Sequence, residues 1–341
     1  MHILGIETSC DETAASVVQD GRTILSNIVS SSLKDHSRYG GIIPEIASRR
    51  QMELISAVVQ EALKEAGVEA HDLGAIAVTQ SPGLIGSLLV GVSFARAFSF
   101  ALGKPLVKVD HIKAHLYANF LDRQDKNDGV TPHFNSRVGK EEKWGVTPSL
   151  PAIGLVVSGG HSSLFQVKAF DRFVLLGQTR DDAVGEAYDK VARILGLGYP
   201  GGPMIDSLAA KGKNEEIRFP CARLEESFDF SFSGVKTAVL YHVRQAIPDE
   251  EKTQKIAYAF QKSVVSVLVD KSIHACRKKR LKTLLVGGGV AANSYLRQQL
   301  KARATEEEIK VFFPPLSLCT DNAAMIAGLG YRMVVRNESV N

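Results

Sequence analysis

The five residues HIKAH, 111 to 115, set two imidazoles four positions apart. On an α-helix that spacing puts His111 and His115 on one face, with Cβ atoms roughly 6 Å apart. Each neutral ring offers a nitrogen lone pair, so the layout suits a metal ion. An open metal site ordinarily adds a carboxylate. CTDNAAM supplies Asp321, after Pro314 and Pro315 and ahead of a run of small residues that reads as a helix. The same histidine spacing also serves a helix that only caps or packs them. It is not the metalloprotease pattern, which needs Glu directly after the first His as general base; here Ile112, Lys113 and Ala114 intervene.

Other polar groups sit in glycine turns. In VVSGGHSS, 156 to 163, Gly159 and Gly160 allow a sharp turn, and Ser158, Ser162 and Ser163 add hydroxyls. That is either an amide nest for a phosphate or a plain hairpin. TLLVGGGVAANSYL, 283 to 296, places Gly287, Gly288 and Gly289 between a buried strand and a helix, with Asn293 in its first turn. Amides at a helix start attract anions. In the stretch from 181 to 206, Asp189 lies at helical spacing among apolar residues, and Gly201, Gly202 and Pro203 predict a tight turn ahead of Asp206. FSFSGVKTAV predicts a helix start at Ser233 and Gly234; Lys236 just inside it faces either a phosphate or solvent. ETSCDETAAS gathers Thr8, Ser9, Asp11, Glu12 and Thr13 as acceptors, while Cys10 lacks a cationic neighbour and reads as inert. RKKRLK, 277 to 282, is either a dipole-favoured helix end or a phosphate-backbone contact.

These groups need elements to position them. ILGIETSCDETAASVV (3 to 18) and AIGLVVSGGHSSLFQV (152 to 167) share one design: apolar strand, polar turn, second strand. Their separation is about half the chain, as a duplicated unit would give. A strand running into a turn is predicted over 76 to 83, a strand over 105 to 111 and a strand ending in a Gly-rich turn over 283 to 293, with helices from Ser87, around 183 to 196 and around 253 to 280. Strands alternating with helices define an α/β fold, whose ligands sit beyond the carboxyl ends of strands. HIKAH, VVSGGHSS and the Gly287–Gly289 turn fall at such ends. Gly83 to Gly103 is apolar enough to suggest a membrane span, but Arg96 near its middle would cost about 3 kcal/mol there. It reads instead as a helix buried between layers with Arg96 paired. Residues 122 to 150 are polar and aperiodic and read as a long exposed loop, with His133 solvated.

The composition, 45% hydrophobic and 23% charged over 341 residues, is that of a soluble globular chain with room for two domains. A net charge of +4 permits a polyanionic partner without requiring one. Cys10, Cys221, Cys276 and Cys319 form no CxxC pair, which argues against a disulfide framework and for free thiols in a reducing cytosol. The start, MHILGIETSCDE, is not a signal peptide.

As an ordered set, GIETSCDETAAS, QSPGLIGSLLVG, HIKAH, VSGGHSS, GEAYDK, YPGGP, FSFSGVKTA, GGGVAAN and CTDNAAM resemble the TsaD (formerly Gcp, glycoprotease-like) proteins. The resemblance spans nearly the whole chain except 122 to 150. It implies an actin-like, sugar-kinase-like (ASKHA) fold of two related α/β domains with a cleft between them. The first would be 1 to 121 with 315 to 341 packing back, and the second 151 to 314. It implies transfer of a threonylcarbamoyl group from threonylcarbamoyl-AMP to the exocyclic amine of the adenosine 3′ of the anticodon, in tRNAs reading codons that begin with adenine. By the same resemblance His111, His115 and Asp321 hold one iron or zinc ion. Val156, Val157, Ser158, Gly159 and Gly160 hold the phosphate side of the donor, and Asp189, Gly202, Asp206 and Asn293 complete the pocket. The implied partners are tRNA, a TsaB-like paralogue, a TsaE-like ATPase and an upstream TsaC-like enzyme that makes the donor; no membrane is involved and the location is cytoplasmic.

The donor is a mixed anhydride, already activated, so no protein nucleophile and no covalent intermediate are expected. No side chain stands out as a general base. Lys113 replaces an acidic residue found in many members, and the chain ends twenty residues past Asp321. The competing readings are a glycoprotein-cleaving metalloprotease, which lacks its general base here, and a nucleotide-binding regulatory scaffold, which has no reason to keep an open metal position.

Overall fold

The apolar run after the N-terminus forms β1 (His2–Glu7), and ETAASVVQ forms β2 (Glu12–Gln19); the two pair antiparallel from His2–Gln19 to Glu7–Ala14. Both are buried almost throughout, as strands covered on two faces must be. β3 (Thr23–Ser31) continues antiparallel on β2. The chain leaves through α1 (Leu33–Ser37) and α2 (Pro44–Ala66). It returns as β4 (Leu73–Ser81), α3 (Ile85–Leu102) and β5 (Leu106–Asp110), with β4 parallel to β1 and β5 parallel to β4. α4 (His111–Tyr117) follows without a loop, and the two-residue β6 (Asp122–Arg123) closes the edge on β3. The strand order is β5-β4-β1-β2-β3-β6.

The second sheet repeats this plan. β7 (Ala152–Val157), β8 (Ser162–Ala169) and β9 (Arg172–Gln178) run antiparallel. A helical stretch follows: α5 (Val184–Ile194), α6 (Gly201–Ala209), α7 (Ser233–Gln245) and α8 (Glu250–Lys279). Then come β10 (Thr283–Gly287), α9 (Ser294–Glu306), β11 (Lys310–Phe312) and α10 (Ala323–Glu338). The order β11-β10-β7-β8-β9 matches the first sheet without β6, with the last two strands again parallel to the hairpin's first.

The two halves interlace at their helices. α10, which follows the second sheet, packs on β1, β2 and β4 of the first. Gly5 permits this, since a Cβ there would lie 2.2 Å from the Ala323 carbonyl oxygen. α4, which follows the first sheet, leans on β7, β10 and α10. One core therefore mixes both halves: Ile3 and Ala77 with Leu116, Val156, Leu285 and Met325. Separate cores lie between the first sheet and α2–α3, and between the second sheet and α5–α9.

This computed structural model describes residues 1–37, 39–123, 147–212, 216–224, 226–245 and 249–338. Most of the expected loop from 122 to 150, including His133, lies outside them; its first two residues are strand β6 rather than loop. Two further expectations are corrected. The apolar helix α3 is not buried between layers. It packs through a stripe of small residues, Ser87, Gly91, Ala95 and Ser99, and turns Ile85 (86% exposed), Leu89 (64%) and Phe100 (90%) outward. Arg96 shares the exposed side and has no partner among the described residues. α3 is the one described helix long and apolar enough to cross a membrane, with 18 residues and a mean hydropathy of 1.7. Gly201, Gly202 and Pro203 are the first turn of α6 rather than a turn before it. Proline fits because the first amides of a helix have no intrahelical acceptor.

Candidate functional site

Asp110 ends β5 and caps α4, accepting from the Lys113 amide at 3.0 Å. That cap lets the helix begin at His111 and fixes where both imidazoles point. The interlacing brings the end of the 313–322 connection to the same place. His115 Nε2 lies 3.2 Å and His111 Nε2 3.5 Å from Asp321 Oδ1. One donor atom from each residue falls within 4.8 Å of the others.

His111 is held from behind. Glu7, fully buried at the end of β1, lies 2.8 Å through Oε2 from His111 Nδ1 and accepts from Thr79 Oγ1 at 2.6 Å. Its other oxygen accepts from the Ser9 amide at 2.5 Å. With Nδ1 donating to Glu7, Nε2 is left as the lone-pair nitrogen on the Asp321 side. Glu7 was not among the sequence candidates. Its only linear signal is a carboxylate directly after an otherwise apolar strand.

His115 is 0% exposed, and neither ring nitrogen makes a hydrogen bond. A buried Nε2 that makes no hydrogen bond, with only a carboxylate 3.2 Å away, costs free energy unless something accepts its lone pair. A divalent cation among Nε2 of His111, Nε2 of His115 and Asp321 does so, and a two-imidazole, one-carboxylate donor set suits iron or zinc. The electrostatics favour positive charge at this point, which either a cation or a ring proton supplies. Burial opposes a charge on His111, but Glu7 and Asp321 outweigh it and push its pKa well up. Burial, reinforced by His111 and only partly offset by Asp321, lowers His115. Burial would raise Asp321; the two histidines instead hold it far below the usual carboxylate range. Lys113 points away, 3.7 Å from Asp110 Oδ2 and over the Phe173 ring.

Opposite this cluster, glycine turns and helix starts gather at the ends of β7 and β10. A Cβ on Gly287 would lie 2.5 Å from the His115 carbonyl oxygen, so β10 ends directly under the metal helix. Gly288, at φ 93°, packs on the Val157 carbonyl. The Val156–Gly160 stretch is the β7–β8 hairpin, and the Ser158 carbonyl accepts from Gly185 at the start of α5 (3.1 Å). Around it Gly159, Gly160, Gly202 and Gly289 face open space: a Cβ on any of them meets nothing within 4 Å. Backbone exposed in this way admits a flat ring or phosphate at close range.

The remaining sequence candidates are brought together in pairs. Asp189 accepts from the Gly201 amide at 2.8 Å beside Gly202, and burial raises its pKa. Asp206 accepts from the Ser294 amide (2.9 Å) and hydroxyl (3.0 Å), next to Asn293. Asn293 caps α9 through Leu296 and donates to buried Gln261 at 2.8 Å. Lys236 lies 3.6 Å from Asp182 Oδ2. The RKKRLK run closes α8 at the amino end of β10, away from Gly287; Arg277 pairs with Glu307, and Lys282 donates to its carbonyl. From the other wall Asp11 and Glu12 face the cluster, and burial together with Asp321 and Asp11 raises the Glu12 pKa well above normal. Cys10 is pushed up in the same way and is inert as a thiolate.

Two copies of one mixed sheet, interlaced through α4 and α10 around a cleft with a metal-capable triad, define an actin-like (ASKHA) α/β protein. Solved structures of that fold agree. HypF of T. kodakarensis superposes over 99% of this chain and 48% of its own at TM-score 0.61 and 14% identity. Component A of the Acidaminococcus fermentans (R)-2-hydroxyglutaryl-CoA dehydratase does so over 98% and 99% at 0.55 and 14%. Sequence places the chain more narrowly. It matches the TsaD family, tRNA N6-adenosine threonylcarbamoyltransferase, over residues 23–328, and belongs to that family. Proteins of that name from Clostridium botulinum (strain Kyoto / Type A2) and Clostridium kluyveri (strain NBRC 12016) are 47% and 46% identical. They align over 100% and 99% of this chain and 95% and 94% of their own.

Proposed function

We propose that this chain is the tRNA N6-adenosine threonylcarbamoyltransferase of its cell, moving the threonylcarbamoyl group from threonylcarbamoyl-AMP to the adenosine 3′ of the anticodon and releasing AMP. The observation that carries the reading is the His111–His115–Asp321 triad facing the open glycine floor, in a chain about 47% identical over full length to proteins of that name. A cytoplasmic location goes with a tRNA substrate.

His111, His115 and Asp321 would hold one iron or zinc ion, which when bound supplies Lewis-acid polarisation. Val156 to Gly160 cradle the phosphate side of the donor through the Gly159 and Gly160 amides and the Ser158 hydroxyl, so charge on the departing phosphate meets fixed dipoles. Asp189, Gly202, Asp206 and Asn293 shape the rest of the pocket, held by the helix-start hydrogen bonds that bring them there. An aromatic amine is a weak nucleophile, so orientation across the cleft dominates over proton abstraction. The first sheet with the returning α10 forms one unit and the second sheet with α5–α9 the other, with the site where they interlace.

A TsaB-like paralogue docks on the exposed apolar side of α3, where Ile85, Leu89 and Phe100 form a patch that water otherwise covers. A TsaE-like ATPase and an upstream TsaC-like donor-making enzyme complete the system. H111A or H115A should abolish modified nucleoside in the reconstituted assembly, read by nucleoside mass spectrometry. Full activity in either variant would remove the triad from the chemistry.

A further inference from the structure

We propose that His161 is the group that takes the proton from the adenosine amine during transfer; the inference rests on the transferase reading. The β7–β8 turn is closed twice across its ends. The Ser158 amide donates to the His161 carbonyl at 2.8 Å, and the His161 amide donates to Ser158 Oγ at 3.1 Å. The backbone of His161 is thereby fixed, yet its half-buried imidazole has no partner among the described residues. Side chains alternate along β7 and β8: Val157 and Leu164 pack with Val184 of α5, Val156 and Val167 with Leu116 of α4, and Ser162 Oγ accepts from the Val184 amide at 2.8 Å, so His161, one residue earlier, leaves on the α4 side. It stands outside the cluster of donor atoms that could grip a cation. Beside it Gly159 and Gly160 open onto free space.

Two carboxyls near the cluster, Glu7 and Glu12, are not free to accept. Glu7 is committed to Ser9, Thr79 and His111. Glu12 retains its proton well above the normal carboxyl range because burial and its acidic neighbours oppose its charge. Burial, helped by His111 and His115, lowers the His161 pKa against the pull of Asp321 and Asp110, so the ring is neutral and able to accept. In the step, the amine lone pair bonds to the carbamoyl carbon and the carbon–oxygen bond to phosphate breaks. The bonding pair departs with AMP as its phosphate anion. The amine proton passes to a ring nitrogen of His161 and then to water at the open side of the turn.

The test uses the reconstituted assembly with wild type, H161Q and H161A, following single turnovers at saturating donor from roughly pH 5 to 8. Wild-type rate should climb with pH and level off. H161Q should be slower by about 100-fold or more and lose that rise. Bound metal, donor affinity and unfolding temperature should stay at wild-type values, and added imidazole should partly restore H161A. A rate within about threefold of wild type with the pH rise intact overturns the inference. So does loss of metal along with rate, which would make His161 a ligand, or loss of donor affinity, which would make it a binding residue. Should the variants unfold, ring-nitrogen NMR of wild type decides: an imidazole already protonated at neutral pH refutes the role. If wild type itself forms no product, the transferase reading fails and this inference with it; product from wild type with an unaffected H161Q sinks the inference alone.

Discussion

The turns β1–β2 and β7–β8 occupy equivalent places in the two sheets and have opposite characters. The first, Thr8 to Asp11, is tied down. Glu7 accepts from two side chains and an amide, and buried Gln51 donates to the carbonyls of Cys10 and Glu12, each at 3.0 Å. The second is closed at its base and tied once to the start of α5, and it leaves two glycines on open space and an imidazole with no partner among the described residues. One topological position, duplicated, serves as a buttress on one side and as a receptor on the other. A buttress must have its polar groups satisfied from within, whereas a receptor must leave them for a ligand.

The largest effect should come where the two sides meet. D321A leaves two imidazoles facing no carboxylate. Transfer should fall by about a thousand-fold or more, since several kcal/mol of charge stabilisation go with the metal. Metal analysis of the purified variant should show the loss directly, and an ion retained at full stoichiometry would contradict the triad. On the buttress side E7Q is the milder cut: it keeps the shape of the side chain and removes its charge behind His111. Metal affinity should drop about 10- to 100-fold, measured by competition with a chelator. No change would mean that Glu7 only fills space.

The difference between these two carboxylates is also the difference between what the sequence made legible and what it hid. His111 and His115 were readable because i, i+4 is a property of any helix, and Asp321 because it stands polar before a run of small residues. Glu7 meets its histidine across 104 positions, and no local pattern records that. The strand–turn–strand repeats were visible in order and spacing. The face of α3 was misjudged because its apolar composition dominated, while the real signal was the small stripe Ser87, Gly91, Ala95 and Ser99 at intervals of four. Gly201 to Pro203 read as a turn because proline and glycine usually break helices; at a helix start neither does.

Glycines sharpen the contrast more gently. G287A forces a Cβ to 2.5 Å from the His115 carbonyl oxygen and should cost about 1–3 kcal/mol of stability, with metal affinity weakened as α4 shifts. G160A meets nothing within 4 Å and should change stability by less than about 0.5 kcal/mol while raising the donor KM. Chemical denaturation and donor titration on the same two samples separate packing from reception. Equal destabilisation in both would erase the distinction.

The smallest effect lies at the shoulder of the receptor. Asp181 organises the start of α7. Its Oδ1 accepts from the Phe232 and Ser233 amides (2.8 and 3.3 Å), and its Oδ2 from the Ser231 and Ser233 hydroxyls (2.6 and 2.7 Å). Burial alone would raise its pKa; the two hydroxyl and two amide donors outweigh burial and hold the carboxyl below its usual range. The folded pKa is thus lower than the unfolded one. The carboxylate's stabilisation is complete above the unfolded value of 3.8 and disappears as pH falls through the lower folded value. The carboxylate is exposed, so solvent screening discounts its charge, and D181N should lose only about 0.3 kcal/mol at neutral pH. Its thermal midpoint should converge with that of wild type as pH drops below the unfolded carboxyl value. A gap that stayed constant through that acid range would show that shape rather than charge holds the start of α7, leaving the receptor side no electrostatic fixing of its own to set against Glu7.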